Sequence, residues 1–155
     1  MLENCQSAKE RWGGVNDIVD QWLVNRQDLL VIYCGLSGIE SFDEKNNDHA
    51  QKIRSLCQHL VDYVSAGHFE VYDQLIKEGK EFKDKEALAT AAKLYQAIDP
   101  STETILDFND KYLETDDLST LAKDLSDIGQ QLAARFEAED QMIEVLHMSH
   151  REMVA

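Results

Sequence analysis

The sequence predicts an all-α fold: an antiparallel helical bundle with a four-helix-like core and short accessory helices. Two observations carry this. Apolar residues recur at spacings of three and four through most of the chain, and no segment shows the strict alternation of a half-buried strand. Only one Pro and seven Gly in 155 residues leave room for long unbroken helices. The length suits one domain over residues 1–155.

The first helix is expected from about Leu2 to Leu36, with a potential interruption at Gly13-Gly14. Its stripe reads Val15, Val19, Trp22, Arg26, Leu29 or Leu30, Tyr33 and Leu36. Arg26 is the one charge on it, and its aliphatic stem can pack while the guanidinium reaches water. Residues 37–47 read as a loop. A second helix spans about 48–66, with Ile53, Leu56, Cys57, Leu60 and Val64 inward. Gly67 is placed to end it with a left-handed cap. A short helix follows from Phe69 to Lys77, then a charged loop from Gly79 to Lys83. Asp84 can cap a helix over 85–98, rich in Ala87, Ala89, Ala91 and Ala92. Asp99-Pro100 has the form of a new helix start, an acid followed by Pro at the first helical position. That helix carries Ile105, Phe108, Tyr112 and Leu113. Thr115-Asp116-Asp117 opens the last and longest helix, whose stripe reads Leu121, Leu125, Ile128, Leu132, Phe136, Glu139, Ile143 and Leu146. These positions approximate a heptad seam.

Hydrophobic residues make up 43%, enough for a core and too many for a disordered chain. The longest strictly apolar run, Leu29 to Tyr33, is far short of the ~20 residues a bilayer span needs. Residues 1–14 lack a basic start followed by an apolar block, so a cytoplasmic protein without a membrane partner is expected. Three cysteines without a CxxC pair argue against zinc or disulfide scaffolds, and Cys34 and Cys57 read as small buried hydrophobes. The net charge of −15 disfavours direct nucleic-acid binding and suits a basic protein partner.

Two stretches stand out. In Leu60-Val-Asp-Tyr-Val-Ser-Ala-Gly-His-Phe69, a helix end carries Asp62, Ser65 and His68, which a purely structural end does not need. Ser55, His59, Asp62 and Ser65 share one helical face, either simply solvated or a docking surface in which Asp62 accepts from Arg or Lys. In Leu125 to Asp140, Glu139 takes a seam position, and Arg135 lies one turn back. A carboxylate there must pair, protonate or line a wet cavity. Asp20, Asp140 and His68 are further members for a shared polar network. Glu144-Val-Leu-His147 is the chain's single Glu-x-x-His, whereas a di-metal bundle uses two, so no metal is expected. His147 and His150 read as surface residues. No nucleophile elbow, phosphate loop or dinucleotide fingerprint is present, so neither enzymatic activity nor a cofactor is expected. Met142, Met148, Met153, Trp12 and Trp22 read as packing residues.

Val19-Asp-Gln-Trp-Leu23, the block Leu60–Phe69, and Leu125-Ser-Asp-Ile-Gly with Leu132, Arg135-Phe136 and Glu139-Asp140 together resemble the regulator-of-sigma-D/AlgQ family of bacterial anti-sigma proteins. The opening Met1-Leu2-Glu3 and Glu10-Arg11-Trp12-Gly13-Gly14 is similar to AlgQ-type members. The resemblance implies a cytoplasmic helical protein that binds the C-terminal helix-turn-helix domain of the primary sigma factor of RNA polymerase. It would keep that domain from the polymerase and the promoter −35 element, especially in stationary phase. The family's sigma-binding acid falls on Asp62, with Ser65, His68 and Phe69 in the same motif. Phe69 and Tyr63 are expected to supply contact area. Asp20, Trp22, Arg26, Arg135 and Glu139 are expected to line a polar groove beside Asp62 or to order the helices that present it. Residues 37–50 and 79–90 depart from the family pattern, so contacts there do not carry over. Two other classes stay open: a small-molecule- or metal-binding bundle, and an adaptor with further protein partners.

Overall fold

A computed structural model describes residues 8–39, 41–43, 45–115 and 117–154. The start of the first helix at Leu2, Cys5 and Asp116 lie outside these. The described residues are almost entirely helical and contain no strand. Helix α1 runs Ala8–Ser37, α2 Asn47–Ala66, α3 Tyr72–Glu81, α4 Lys85–Glu114 and α5 Leu121–Leu146. A π turn, Gly67–Val71, joins α2 to α3 without a break, and a 3₁₀ helix, Met148–Val154, closes the described chain. No helix among the described residues is long and apolar enough to cross a membrane.

Helices α1, α2, α4 and α5 form the bundle, in which α1 packs on α2, α2 on α4, and α4 on α5. Neighbours run antiparallel, as side-chain bonds show. Trp12 reaches His147, Arg26 reaches Asp140, and Tyr33 reaches Leu125, so α1 and α5 oppose. Lys111 meets Asp124 while Ser101 meets Arg135, so α4 and α5 oppose. The core is contiguous and uses the predicted stripes: Val15, Val19, Trp22, Leu29 and Leu36 from α1, and Leu121, Leu125, Ile128, Leu132, Ile143 and Leu146 from α5. Asn46 caps α2 by accepting from Asp48 N at 2.9 Å, and Asp84 caps α4 by accepting from Ala87 N at 3.0 Å.

Several local expectations yield to packing. Gly13-Gly14 does not interrupt α1. Gly67 is not left-handed: its φ of −57° and ψ of −56° are right-handed helical, and the chain continues. A Cβ there would lie 3.2 Å from the Trp22 ring and 3.4 Å from that of Tyr72, so Gly67 provides space, not a cap. Gly79 likewise sits inside α3, where a Cβ would lie 2.7 Å from Leu146 and 2.9 Å from Leu88. The chain turns only at Phe82–Asp84, with Lys83 at φ 55°. Of the four alanines, Ala87 and Ala91 are buried and Ala89 and Ala92 are exposed. Asp99-Pro100 does not start a helix, because α4 passes through Pro100. Buried Ala91, Ile98, Ile105 and Tyr112 repeat every seven residues across it, so the packed face continues past the missing N–H donor. The last helix begins at Leu121, after a turn in which Asp117 accepts from Ser119 N. Cys57 is buried as expected, and burial pushes its thiol up to about 11, but Cys34 is exposed.

Because Pro100 is an exposed interruption of α4, Pro100→Ala should restore a donor to the preceding turn and remove the ring clash. A net stabilisation of about 1–2 kcal/mol is expected after allowing for the greater freedom of the unfolded chain. Were Pro100 the first residue of a separate helix, urea denaturation would instead show no gain or a loss.

Candidate functional site

Two structures meet at the π turn: a buried polar network, and an exposed stripe directly above it. The network centres on Glu139, which is fully buried on α5. Its Oε1 accepts from the Tyr63 hydroxyl at 2.6 Å and from Arg26 Nη2 at 3.5 Å. Its Oε2 accepts from the Tyr72 hydroxyl and from Arg135 Nε at 3.3 Å. Arg135, also buried, spends its remaining donors on Ser101 Oγ at 3.1 Å, Thr102 Oγ1 at 2.7 Å and the Tyr72 hydroxyl at 3.2 Å. Arg26 donates to the Tyr63 hydroxyl and, at 2.6 Å, to Asp140 at the surface. Five elements thus converge on one carboxylate and its partner.

The electrostatics follow from burial. Desolvation pushes Glu139 above the usual carboxylate range, against the pull of Arg135, Tyr63, Tyr72 and Arg26. Burial and the nearby Glu139 charge both raise the Tyr63 and Tyr72 phenols, which therefore stay protonated and donate. Arg26 is not the water-reaching residue its position suggests. Its side chain is 11% exposed, and its guanidinium is held by Tyr63, Asp140 and Glu139 and lies 4.7 Å from the Phe136 ring centroid.

Geometry also explains the π turn. Tyr63 and Tyr72 are nine residues apart, which on a regular α-helix places them about 180° apart. In the π turn the Tyr72 N–H donates to Gly67 O, five residues back. One extra residue per turn gives back about 100°, so both tyrosines can face α5. Trp22 braces the turn from α1: its Nε1 donates to Tyr63 O at 3.2 Å, and its ring stacks on Tyr63 with centroids 4.8 Å apart. His68, half-buried, lies within hydrogen-bond distance of Tyr95 OH at 3.1 Å and Thr102 Oγ1 at 3.2 Å. Burial and the positive Arg135 lower its pKa, against the acidic Asp99.

Above this lies the surface. Asp62 is exposed and accepts from Gln58 Nε2 at 2.9 Å. Ser65 is half-buried beside it. Phe69, on the π turn, is 85% exposed. Three of the sequence-derived site residues therefore share an outer stripe: Asp62, Ser65 and Phe69. Tyr63 does not join it. At 1% exposure it faces the core, and the expectation that it offers contact area is not met. Arg26, Arg135 and Glu139 make their bonds inside the bundle, and Trp22 is buried at the floor of a pocket between α1 and the π turn that does not include Asp62. Asp20 is exposed on α1, accepts from Asn16, and has no bond to the network. Asp140 and His68 do belong to it. Sequence reasoning missed Tyr72, Ser101, Thr102 and Tyr95. The one available signal was a Tyr on each side of Gly67.

The C-terminal histidines are also corrected. His147 and His150 are buried, not on the surface. His147 contacts Glu78 at 2.6 Å and Asn16 at 3.2 Å and stacks on Trp12; His150 contacts Asp84 at 2.9 Å and stacks on Phe82. Glu144 is exposed while His147 points inward, so the Glu-x-x-His pair does not converge. Met142 is buried and Met153 exposed. No group of three or more His, Cys, Asp or Glu among the described residues is placed to share a metal ion.

Comparison with known proteins adds a second line of findings. Residues 1–147 match the family model described as regulator of RNA polymerase sigma(70) subunit, Rsd/AlgQ. The chain is 41% identical over 149 residues to the "Regulator of sigma D" of Yersinia pseudotuberculosis serotype O:1b, covering 93% of this chain and 88% of the relative. It is 40% identical to that of Yersinia enterocolitica, covering 93% and 89%. Against that of Salmonella arizonae it is 38% identical over 148 residues, covering 92% and 90%.

Removing Arg135 strands a buried carboxylate, so Arg135→Ala should cost about 3–5 kcal/mol in urea unfolding, the range for breaking a buried pair. The lowered His68 pKa has a definite sign. Below the usual 6.5 the unfolded chain takes the proton more readily than the native one, so stability falls as pH drops from 6.5 towards the native pKa. Unfolding measured at pH 7.5 and 5.5 should show a smaller loss for His68→Gln than for the wild type.

Proposed function

Because the chain belongs to the Rsd/AlgQ family of regulators of the RNA polymerase sigma(70) subunit, we propose that it is an anti-sigma factor that binds the primary sigma factor and withholds it from the polymerase. The part bound is the C-terminal helix-turn-helix domain, which is thereby kept from the −35 element. The protein acts in the cytoplasm, by sequestration and not by catalysis.

The observation that carries this reading is Phe69, 85% exposed about two helical turns along from the exposed Asp62, on a chain of net charge −15. A large aromatic held in water gains most when a partner covers it. A domain that reads promoter DNA presents Arg and Lys to phosphate, and an acidic surface competes for the same groups. Asp62 accepts from such a cation, Phe69 supplies the dry contact beside it, and Ser65 lies between them. The net charge speeds the encounter, while the local pair selects the partner. The buried network does not favour a ligand-binding bundle, because both Glu139 oxygens and four Arg135 contacts are already committed inside the protein.

Calorimetric titration of the isolated sigma C-terminal domain tests the reading. Asp62→Ala and Phe69→Ala should each weaken binding by about 2–4 kcal/mol, the range for truncating a central contact. Affinity should also fall as salt rises from 50 to 300 mM. Wild-type affinity in both variants would remove this face from the interaction.

A further inference from the structure

The exposed face and the buried network occupy alternate positions of the same segment. Asp62 points out and Tyr63 in; His68 turns toward α4 while Phe69 points out; Val71 and Tyr72 return to the core. The two phenols flank the π turn and end on different oxygens of one carboxylate. We propose that Glu139 is a positioning residue for the docking face: through Tyr63 and Tyr72 it fixes the pitch of the π turn, and so the direction in which Phe69 is presented beside Asp62. This rests on the docking reading above, and it assigns the buried residues a part in affinity although they touch no partner.

The fit of the parts supports it. Gly67 suits the turn, because a Cβ there would crowd the Trp22 ring at 3.2 Å and the Tyr72 ring at 3.4 Å. Trp22 and the Gly67 N–H both donate to Tyr63 O, so the carbonyl that opens the turn is fixed from α1 as well. His68 ties the middle of the turn to α4 through Tyr95 and Thr102. Thr102 in turn accepts from Arg135, which pairs with Glu139. The turn is thus fastened before, within and after Phe69 by groups that trace back to one buried pair. If either tyrosine bond is released, the turn can relax toward a regular α-helix, swinging Phe69 relative to Asp62.

Tyr72→Phe removes one hydroxyl and keeps the ring. Binding of the sigma C-terminal domain should weaken about tenfold. Amide hydrogen exchange should speed up at residues 67–72 more than in α5. In a Phe69→Ala background the same substitution should change affinity by less than about twofold, because the side chain it aims is gone. A merely structural loss would weaken both backgrounds alike, and that result overturns the proposal. Tyr63→Phe repeats the test from the other side of the turn. If Phe69→Ala alone binds as the wild type, the docking reading falls and takes this inference with it. If Phe69→Ala weakens binding but both tyrosine variants bind normally, only the positioning role falls. Loss of cooperative unfolding in both tyrosine variants would mark the network as a stability element and also overturn the proposal.

Discussion

A carboxylate buried at the centre of a helical bundle is the constraint on which the rest of this structure turns. Glu139 cannot remain there charged without donors, since an unpaired buried charge is costly. It receives them from Arg26 on α1, Tyr63 on α2, Tyr72 on α3 and Arg135 on its own helix. Such a network is weak evidence for stability, because well-packed hydrophobes of the same volume often do as well. Its consequence is positional. A hydrophobic seam tolerates small slides, whereas a slide of α2 by one residue would remove Tyr63 from the carboxylate and leave both groups unsatisfied. The helices are therefore locked in register by hydrogen-bond geometry, and the apolar stripes supply the bulk of the burial around it.

That lock is made through rings. Trp22 stacks on Tyr63 and meets Tyr72 edge-on, and Phe136 meets Tyr63 edge-on. The phenols thus lie in an aromatic layer that excludes water from the carboxylate and raises their pKa. Low local dielectric strengthens each bond and makes each missing one more expensive. The hydroxyls and the rings cannot be optimised separately: the rings dry the site, and the hydroxyls make a dry carboxylate tolerable.

The sequence made the long-range architecture legible and the local punctuation misleading. The α1, α2 and α5 stripes, the Asp84 cap, and the placement of Arg135 and Glu139 on an apolar seam could be read directly, because each depends on periodicity within one helix. Gly67, Gly79 and Pro100 were misread for a common reason. Each is a helix breaker by local rule, yet Gly67 and Gly79 are kept inside a helix by side chains packed on them, and exposed Pro100 by the buried face that continues on both sides of it. The seven-residue repeat Ala91, Ile98, Ile105, Tyr112 was the signal that outweighed Pro100. Tyr72 was hard to place because the π turn shifts helical phase, and no periodicity argument anticipates an inserted residue; Thr102, on α4, was hidden because its partners Arg135 and His68 lie far off in sequence. His147 and His150 were invisible for another reason: their partners Glu78 and Asp84 lie more than sixty positions away in sequence.

The division of labour between charge and shape follows from the same geometry. An excess of 15 acids acts at the range of a Debye length, about 8 Å at physiological salt, and cannot distinguish one basic surface from another. Selection among basic partners has to come from a feature that only one of them can cover. In the proposed docking Phe69 is such a feature, because its contact area would count only if a partner's apolar surface met it while a cation reached Asp62. The angle between the two side chains is then the quantity that matters. On a regular helix, residues seven apart lie nearly in line. The π turn displaces Phe69 from that line by an amount set in the interior. On the proposed docking, a segment that carries its recognition groups outward and its register bonds inward would make surface specificity a property of the core.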